Sequence, residues 1–264
     1  MRKDEVWQQL KRDKTMVYGE PIMNQFLKLA QRIDKHHWDE LSAEQRKLVE
    51  PQTRLNFAAT VKEAEQAIKD GADDLNSAFE HAAVHGHIEI VELLVKKGAG
   101  TYTQALPIAA RGGHVPIIKF LVKKGTQDLD LALATAAIYG HTEACSFLVD
   151  KGASRISTAI ACAANNGHEK TSRVLIEKEK PSQKHMEAIL QAAATKGHLP
   201  VVKLLVDNGA KDLNKALHLA ANGGHLDVTK FLVEKGADDL KGAYLDSTGP
   251  SVWNYLKTKI EEEK

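Results

Sequence analysis

Six Gly-His pairs are the first candidates for chemistry: Gly86-His87, Gly113-His114, Gly140-His141, Gly167-His168, Gly197-His198 and Gly224-His225. Imidazole is the commonest metal ligand and a general acid-base group near neutral pH. Six in like surroundings suggest a metal site or catalytic groups. Their spacing speaks against both. The intervals are 27, 27, 27, 30 and 27 residues, and a fixed period of this size marks a solenoid of repeats. Equivalent atoms in successive units then lie about 8–10 Å apart, following helix packing, whereas a zinc–histidine bond spans about 2.0–2.1 Å. The turn histidines are read instead as ties between loop backbone groups, made through their two ring nitrogens. His36 and Glu40, at i and i+4, form a second metal candidate with no identifiable third ligand. The sequence holds no Gly-rich phosphate loop, paired-cysteine motif, HExxH or nucleophile elbow. No catalytic residue, metal ligand or cofactor is assigned, and the chain is read as a non-enzyme.

The elements that position these turns repeat with them. An Ala-Ala pair precedes each turn, from Ala82-Ala83 to Ala220-Ala221. Such small residues let one helix approach its neighbour closely. An apolar pattern such as Ile90-Val91 with Leu93-Leu94-Val95 follows, at helical spacing with a wide buried face. Gly98, Gly125, Gly152, Gly209 and Gly236 then close the second helix in the left-handed conformation that glycine accepts. Lysines before these glycines are read as solvated caps that complement the helix dipole. Each unit is thus a short inner helix, a Gly-His turn, an outer helix and a Gly stop. The expected fold class is all-α, a helical-hairpin solenoid of about eight helix pairs with an N-terminal helical cap.

The motif around the last turn, Ala216-Leu217-His218-Leu219-Ala220-Ala221-x-x-Gly224-His225-Leu226, resembles the ankyrin-repeat signature, with Ala216 where that family prefers Pro. Six copies keep phase. The units are shorter than the family's usual length of about 33 residues. The shortfall lies between Gly-Ala and the next inner helix, where ankyrin proteins carry a β-hairpin finger, so the fingers are expected as tight loops. The resemblance implies binding of a partner protein on the concave inner-helix face. It places contact roles on the residues before Gly-His and at the entry of the inner helix: Val84, His85, Arg111, Asp130, Ile138, Tyr139, Asn165, Asn166, Glu187, Lys196 and Asn222. Ile138 and Tyr139 stand out as adjacent apolar residues where water is expected. Tyr139 is either a binding anchor or a packing residue against a neighbouring unit. The short repeats also resemble ankyrin proteins that intracellular microbes deliver to a host protein. A secreted effector is therefore the second functional reading.

Composition narrows the partners. Thirty-six basic and 35 acidic residues leave a formal net charge of +1, which gives no support for sequence-independent nucleic-acid binding. No apolar run reaches the length of a membrane span, and the N-terminus lacks the apolar core of a secretory signal. Cys145 and Cys162 stand where other copies carry apolar residues, and both are read as small core groups of a reducing compartment. The expectation is a cytoplasmic monomer that binds another protein and neither nucleic acid nor membrane. As a secreted effector it would act in the host cytoplasm.

Along the chain, residues 1–52 form an N-terminal helical cap or docking segment with three helices, the last opened by Ser42 and stopped by Pro51. Residues 53–260 form the repeat domain, with six full repeats and degenerate first and last units, and 261–264 a charged tail. Leu55 to Ala59 is the inner helix of the first unit, and Thr60 to Glu63 has capping-box form. The copy around Gly167 is irregular. Thr171-Ser172 replaces an apolar pair, Glu179 replaces the Gly stop, and Lys180 to Gln183 lengthens the connection. Residues 169–185 are expected to form a weak seam.

Overall fold

A computed structural model describes residue 46 and residues 50–100, 102–126 and 128–262. The expectations for His36, Glu40 and the first helices fall outside these residues. Two compact units divide the chain, Met1–Thr101 and Tyr102–Lys264.

In the first unit, α1 (Pro51–Asn56) pairs with α2 (Val61–Lys69), and α3 (Leu75–His85) with α4 (Ile88–Lys96). Pro51 opens α1, four residues before the expected start at Leu55, and α1 ends at Asn56, before the expected Ala59. A first-turn N–H is unneeded in a helix, so proline starts one as readily as it ends one. Thr60 forms the full capping box with Glu63, as its spacing predicts.

The second unit contains six further pairs: α5 (Tyr102–Gly112) with α6 (Val115–Lys123), α7 (Leu129–Ile138) with α8 (Thr142–Asp150), and α9 (Ile156–Asn165) with α10 (Glu169–Lys178). They continue with α11 (Gln183–Thr195) and α12 (Leu199–Asp207), α13 (Leu213–Asn222) and α14 (Leu226–Glu234), and α15 (Leu240–Asp246) and α16 (Pro250–Glu262). Every described element is helical, in eight pairs, as the period predicts. Within this unit the inner helices α5, α7, α9, α11, α13 and α15 pack in sequence, more closely than the outer helices do. Alanine explains the difference. Ala109-Ala110, Ala136-Ala137, Ala163-Ala164, Ala193-Ala194 and Ala220-Ala221 are all fully buried, and so thin a layer brings helix axes together. The row therefore curves, with the inner helices on its tighter side.

The outer helices meet through larger groups. Lys124, Lys151 and Lys235 lie 5.5, 5.6 and 5.5 Å over the rings of Phe120, Phe147 and Phe231, each four residues earlier. From the preceding repeat, Lys119 and Lys203 approach Phe147 and Phe231 at 5.7 and 5.6 Å. These last-turn lysines are thus tethered over aromatic faces, a cation–π arrangement, and are not simply solvated caps. Cys145 is fully buried, with its thiol pushed up to about 12 by desolvation, which is the behaviour of a core group. Cys162 is only half-buried.

The irregular copy differs from its expectation. Glu179 takes an extended conformation at φ −151° where the other copies use a glycine. The three extra residues do not lengthen the loop. They extend α11, which runs to 13 residues and is capped by the Ser182 hydroxyl accepting from the His185 N–H. At the seam, Thr171 and Ser172 are buried. The Thr171 hydroxyl is 2.8 Å from that of Thr142, while the Ser172 hydroxyl has no hydrogen-bond partner.

Candidate functional site

Each Gly-His turn is built from two conformational facts. Gly140, at φ 73°, lets the chain reverse after α7. A side chain there would also collide with the next repeat, since a Cβ would lie 2.6 Å from Nδ1 of His168. The histidine then occupies the N-cap position of the outer helix without capping it. Its ring turns back to the preceding repeat instead. Nε2 of His141 lies 2.8 Å from the Arg111 carbonyl, and that of His168 2.8 Å from the Ile138 carbonyl. His198 reaches Asn165 at 3.1 Å and His225 reaches Thr195 at 2.9 Å. A carbonyl only accepts, so Nε2 carries the proton and donates. At the last junction the Thr248 hydroxyl does the same work, donating to the Asn222 carbonyl at 2.6 Å. His141, His168, His198 and His225 therefore tie backbone, as expected of the turn histidines, and that backbone belongs to the preceding repeat.

The carbonyls held in this way belong to Arg111, Ile138, Asn165, Thr195 and Asn222, which include four of the anticipated contact residues. Their side chains, with those of Tyr139, Asn166 and Lys196, are exposed on consecutive inner helices. They form one row at the turn end. Ile138 is 38% and Tyr139 50% exposed, so Tyr139 is not enclosed by a neighbouring unit. Leu131, 52% exposed, lies two turns before Ile138 on the same face of α7. Sequence reasoning missed it. The signal was present, because the equivalent positions in the other copies of this unit are Gln104, Thr158, Ala188 and Lys215. The result is an apolar pair, Ile138 and Tyr139, in a polar row, with Leu131 about 10 Å away along the same helix.

Asp130 and Glu187 lie elsewhere. They stand at the other end of their helices, about 12 Å from the turn row at 1.5 Å per residue. Asp130 is half-buried and holds the following loop. Its carboxylate accepts from the backbone N–H groups of Ser154 and Arg155 at 2.6 and 2.9 Å and from the Ser154 hydroxyl at 2.9 Å. Burial opposes its charge, but these hydrogen bonds and the nearby Arg155 charge outweigh that and hold its pKa below the usual carboxylate value. Asn214 plays the same part for the backbone of Asp238 and Asp239. Glu187 accepts from Gln183 at 2.9 Å. In the first unit Val84 is 38% exposed, and His85 is half-buried with Nδ1 2.8 Å from the His81 carbonyl.

One further constellation escaped the sequence. His218 on α13 lies between two carboxylates of α15 and its cap, with Nδ1 2.7 Å from Asp246 and Nε2 2.9 Å from Asp239. Gly242 leaves the necessary room, because a Cβ there would lie 2.5 Å from the ring. Among the described residues, no three His, Cys, Asp or Glu side chains converge as metal ligands would, and no helix is long and apolar enough to cross a membrane.

Comparison with known proteins agrees with this architecture. The family model described as ankyrin repeats (3 copies) matches residues 79–157 and 160–243. Among solved structures, the chain is similar to the crystal structure of the human ASB11 ankyrin repeat domain. The two share 23% identity at a TM-score of 0.60, over 68% of this chain and 96% of that one. No curated protein matches. The family match spans more than half of the chain, its matched segments carry the Gly-His turns, and the solved domain has the same fold: this protein belongs to the ankyrin-repeat family.

Proposed function

We propose that the chain is a non-catalytic scaffold that binds a partner protein on the inner-helix face of its second unit. Ankyrin repeats in general mediate protein–protein interaction. The observation that carries the finer reading is the exposed apolar pair Ile138 and Tyr139, with the exposed Leu131 two turns along the same face. It is set among Arg111, Asn165, Asn166 and Lys196, and it stands on turns whose backbone is already bound to the next repeat. An apolar and aromatic centre with a polar rim is the usual form of a binding hot spot, and a pre-ordered surface loses little entropy when a partner docks. Val84 and His85 of the first unit, Asn222, and the entry-row residues Asp130 and Glu187 are secondary candidates. Asp130 contributes through the loop it holds.

The test begins with affinity capture on the wild type and on an Ile138→Asp/Tyr139→Asp control. A protein retained only by the wild type is then titrated by calorimetry against Tyr139→Ala and Arg111→Ala. Each substitution is expected to weaken binding by about 1 kcal/mol or more while leaving the helical circular dichroism unchanged. Unchanged affinity in both would move the site off this face.

A further inference from the structure

The end of the second unit presents a different surface. Lys241, Tyr244 and Leu245 of α15 and Lys257, Ile260 and Glu261 of α16 line an open cavity of about 350 Å³. Leu245 is 82% exposed and Trp253 40%. Trp253 packs against Tyr244 with ring centres 5.4 Å apart, and Lys257 Nζ lies 5.2 Å over it. We propose that this outward face of α15 and α16 docks an acidic amphipathic helix of a partner protein, which seats an apolar side chain in the cavity and carboxylates on Lys241 and Lys257.

The repeat itself shows what such a face receives. Counting back 27 residues, Lys241 stands where Asn214 does, Tyr244 where Leu217 does and Leu245 where His218 does. In that preceding unit the face is covered by the following helix. Asn214 holds its entry loop, and His218 takes two of its carboxylates, Asp239 and Asp246. There the covered His218 is half-buried, whereas Leu245 is 82% exposed. On α15 the same positions offer an ammonium and a leucine, so the matching helix carries carboxylates and an apolar side chain. Charge favours the same occupant. Two lysines face one glutamate around the cavity. Among the described residues neither lysine is in an ion pair, whereas nearby Lys259 is paired with Glu262 at 2.7 Å. A cavity of this size lies at the small end of ligand sites and suits one or two leucine-sized groups.

The test uses the full chain and a short fluorescent peptide with leucines on one helical face and glutamates on the other, read by anisotropy. A second peptide carries lysine for each glutamate. The acidic peptide is expected to bind about tenfold or more tightly than the basic one. Lys241→Glu/Lys257→Glu is expected to reverse that order, and Leu245→Asp to weaken the acidic peptide by about tenfold. All three positions are exposed, and circular dichroism checks that the variants fold. Ile138→Asp/Tyr139→Asp is expected to keep full peptide affinity, which separates this surface from the inner-helix site. Absent binding, equal affinity for the two peptides, or indifference to these substitutions would each overturn the proposal. So would a dimer that Leu245→Asp dissolves, since the occupant would then be a second copy of the chain.

Discussion

The contact between His218 and its two carboxylates makes docking of the last inner helix depend on pH. A carboxylate only accepts hydrogen bonds, so the ring donates to both partners only when both nitrogens carry protons. A neutral ring leaves one carboxylate facing a lone pair. Burial lowers the pKa of His218, but its hydrogen bonds to Asp246 and Asp239, and their charges, outweigh it, so the net value lies above the ordinary 6.5. Among the described residues, Asp239 and Asp246 are the charges that act on the ring. Gln191, at the equivalent place on α11, is neutral and donates to Asp212 at 3.4 Å. Because the folded value is raised, the stabilisation is complete below about 6.5 and is lost as pH rises through the folded value. The Gly242 backbone N–H and the His218 ring hold the Asp239 pKa below 3.8. That contribution is lost as pH falls through the depressed value, so docking is strongest in mildly acidic solution.

The size of the effect follows from exposure. Shielded charge-assisted hydrogen bonds are worth about 1.5–3 kcal/mol each, and exposed ion pairs about 0.2–1 kcal/mol. His218 is 28% exposed, but Asp239 and Asp246 are 50% and 52% exposed. Charging His218 is thus worth about 1–2 kcal/mol, a factor of about 5–30 in the opening of α15. The assay is amide hydrogen exchange over residues 240–246, at pH 6 and pH 8, corrected for intrinsic exchange. Wild type should lose protection by that factor at the higher pH. His218→Gln, which introduces the residue found at position 191, should show a flat profile. Equal pH dependence in the two proteins would refute the reasoning.

Three further outcomes are expected. Removing the orphaned buried hydroxyl in Ser172→Ala should leave stability unchanged or raise it by about 1 kcal/mol in chemical denaturation, because an unsatisfied buried group costs about 1–3 kcal/mol. His168→Ala loses the bond to the Ile138 carbonyl and the ring packed beside Gly140, and should cost about 1–2 kcal/mol by the same measurement. Residues 169–178, with Thr171 and Ser172 buried in place of an apolar pair, should exchange amide protons faster than 199–207, and equal protection would remove the case for a weak seam.

What the sequence made legible was whatever recurs. Helix, turn and stop occupy the same places in successive units, so the hairpins and the role of the turn histidines could be read from spacing. The position six residues before each turn glycine carries Glu80, Pro107, Ala134, Ala161, Gln191 and His218. No period marks it, and its partners lie 21 and 28 residues away, so the His218 contact was visible only in coordinates. The start of α1 was placed too late because proline signals both a helix stop and a helix start. The three extra residues near Pro181 were misread because a lost glycine and a new cap suit a longer loop and a longer helix equally well. Leu131 was missed for another reason. Inside a helical pattern a leucine is first counted as core, and only comparison down the column of copies shows that it faces water.

The bonds between successive turns have a consequence for how such a surface can change. Each tie ends on a main-chain oxygen, which all twenty amino acids possess. The identities at 111, 138, 165, 195 and 222 are therefore uncoupled from the joint they sit on. On the binding surface proposed above, a substitution there would alter recognition without loosening the frame.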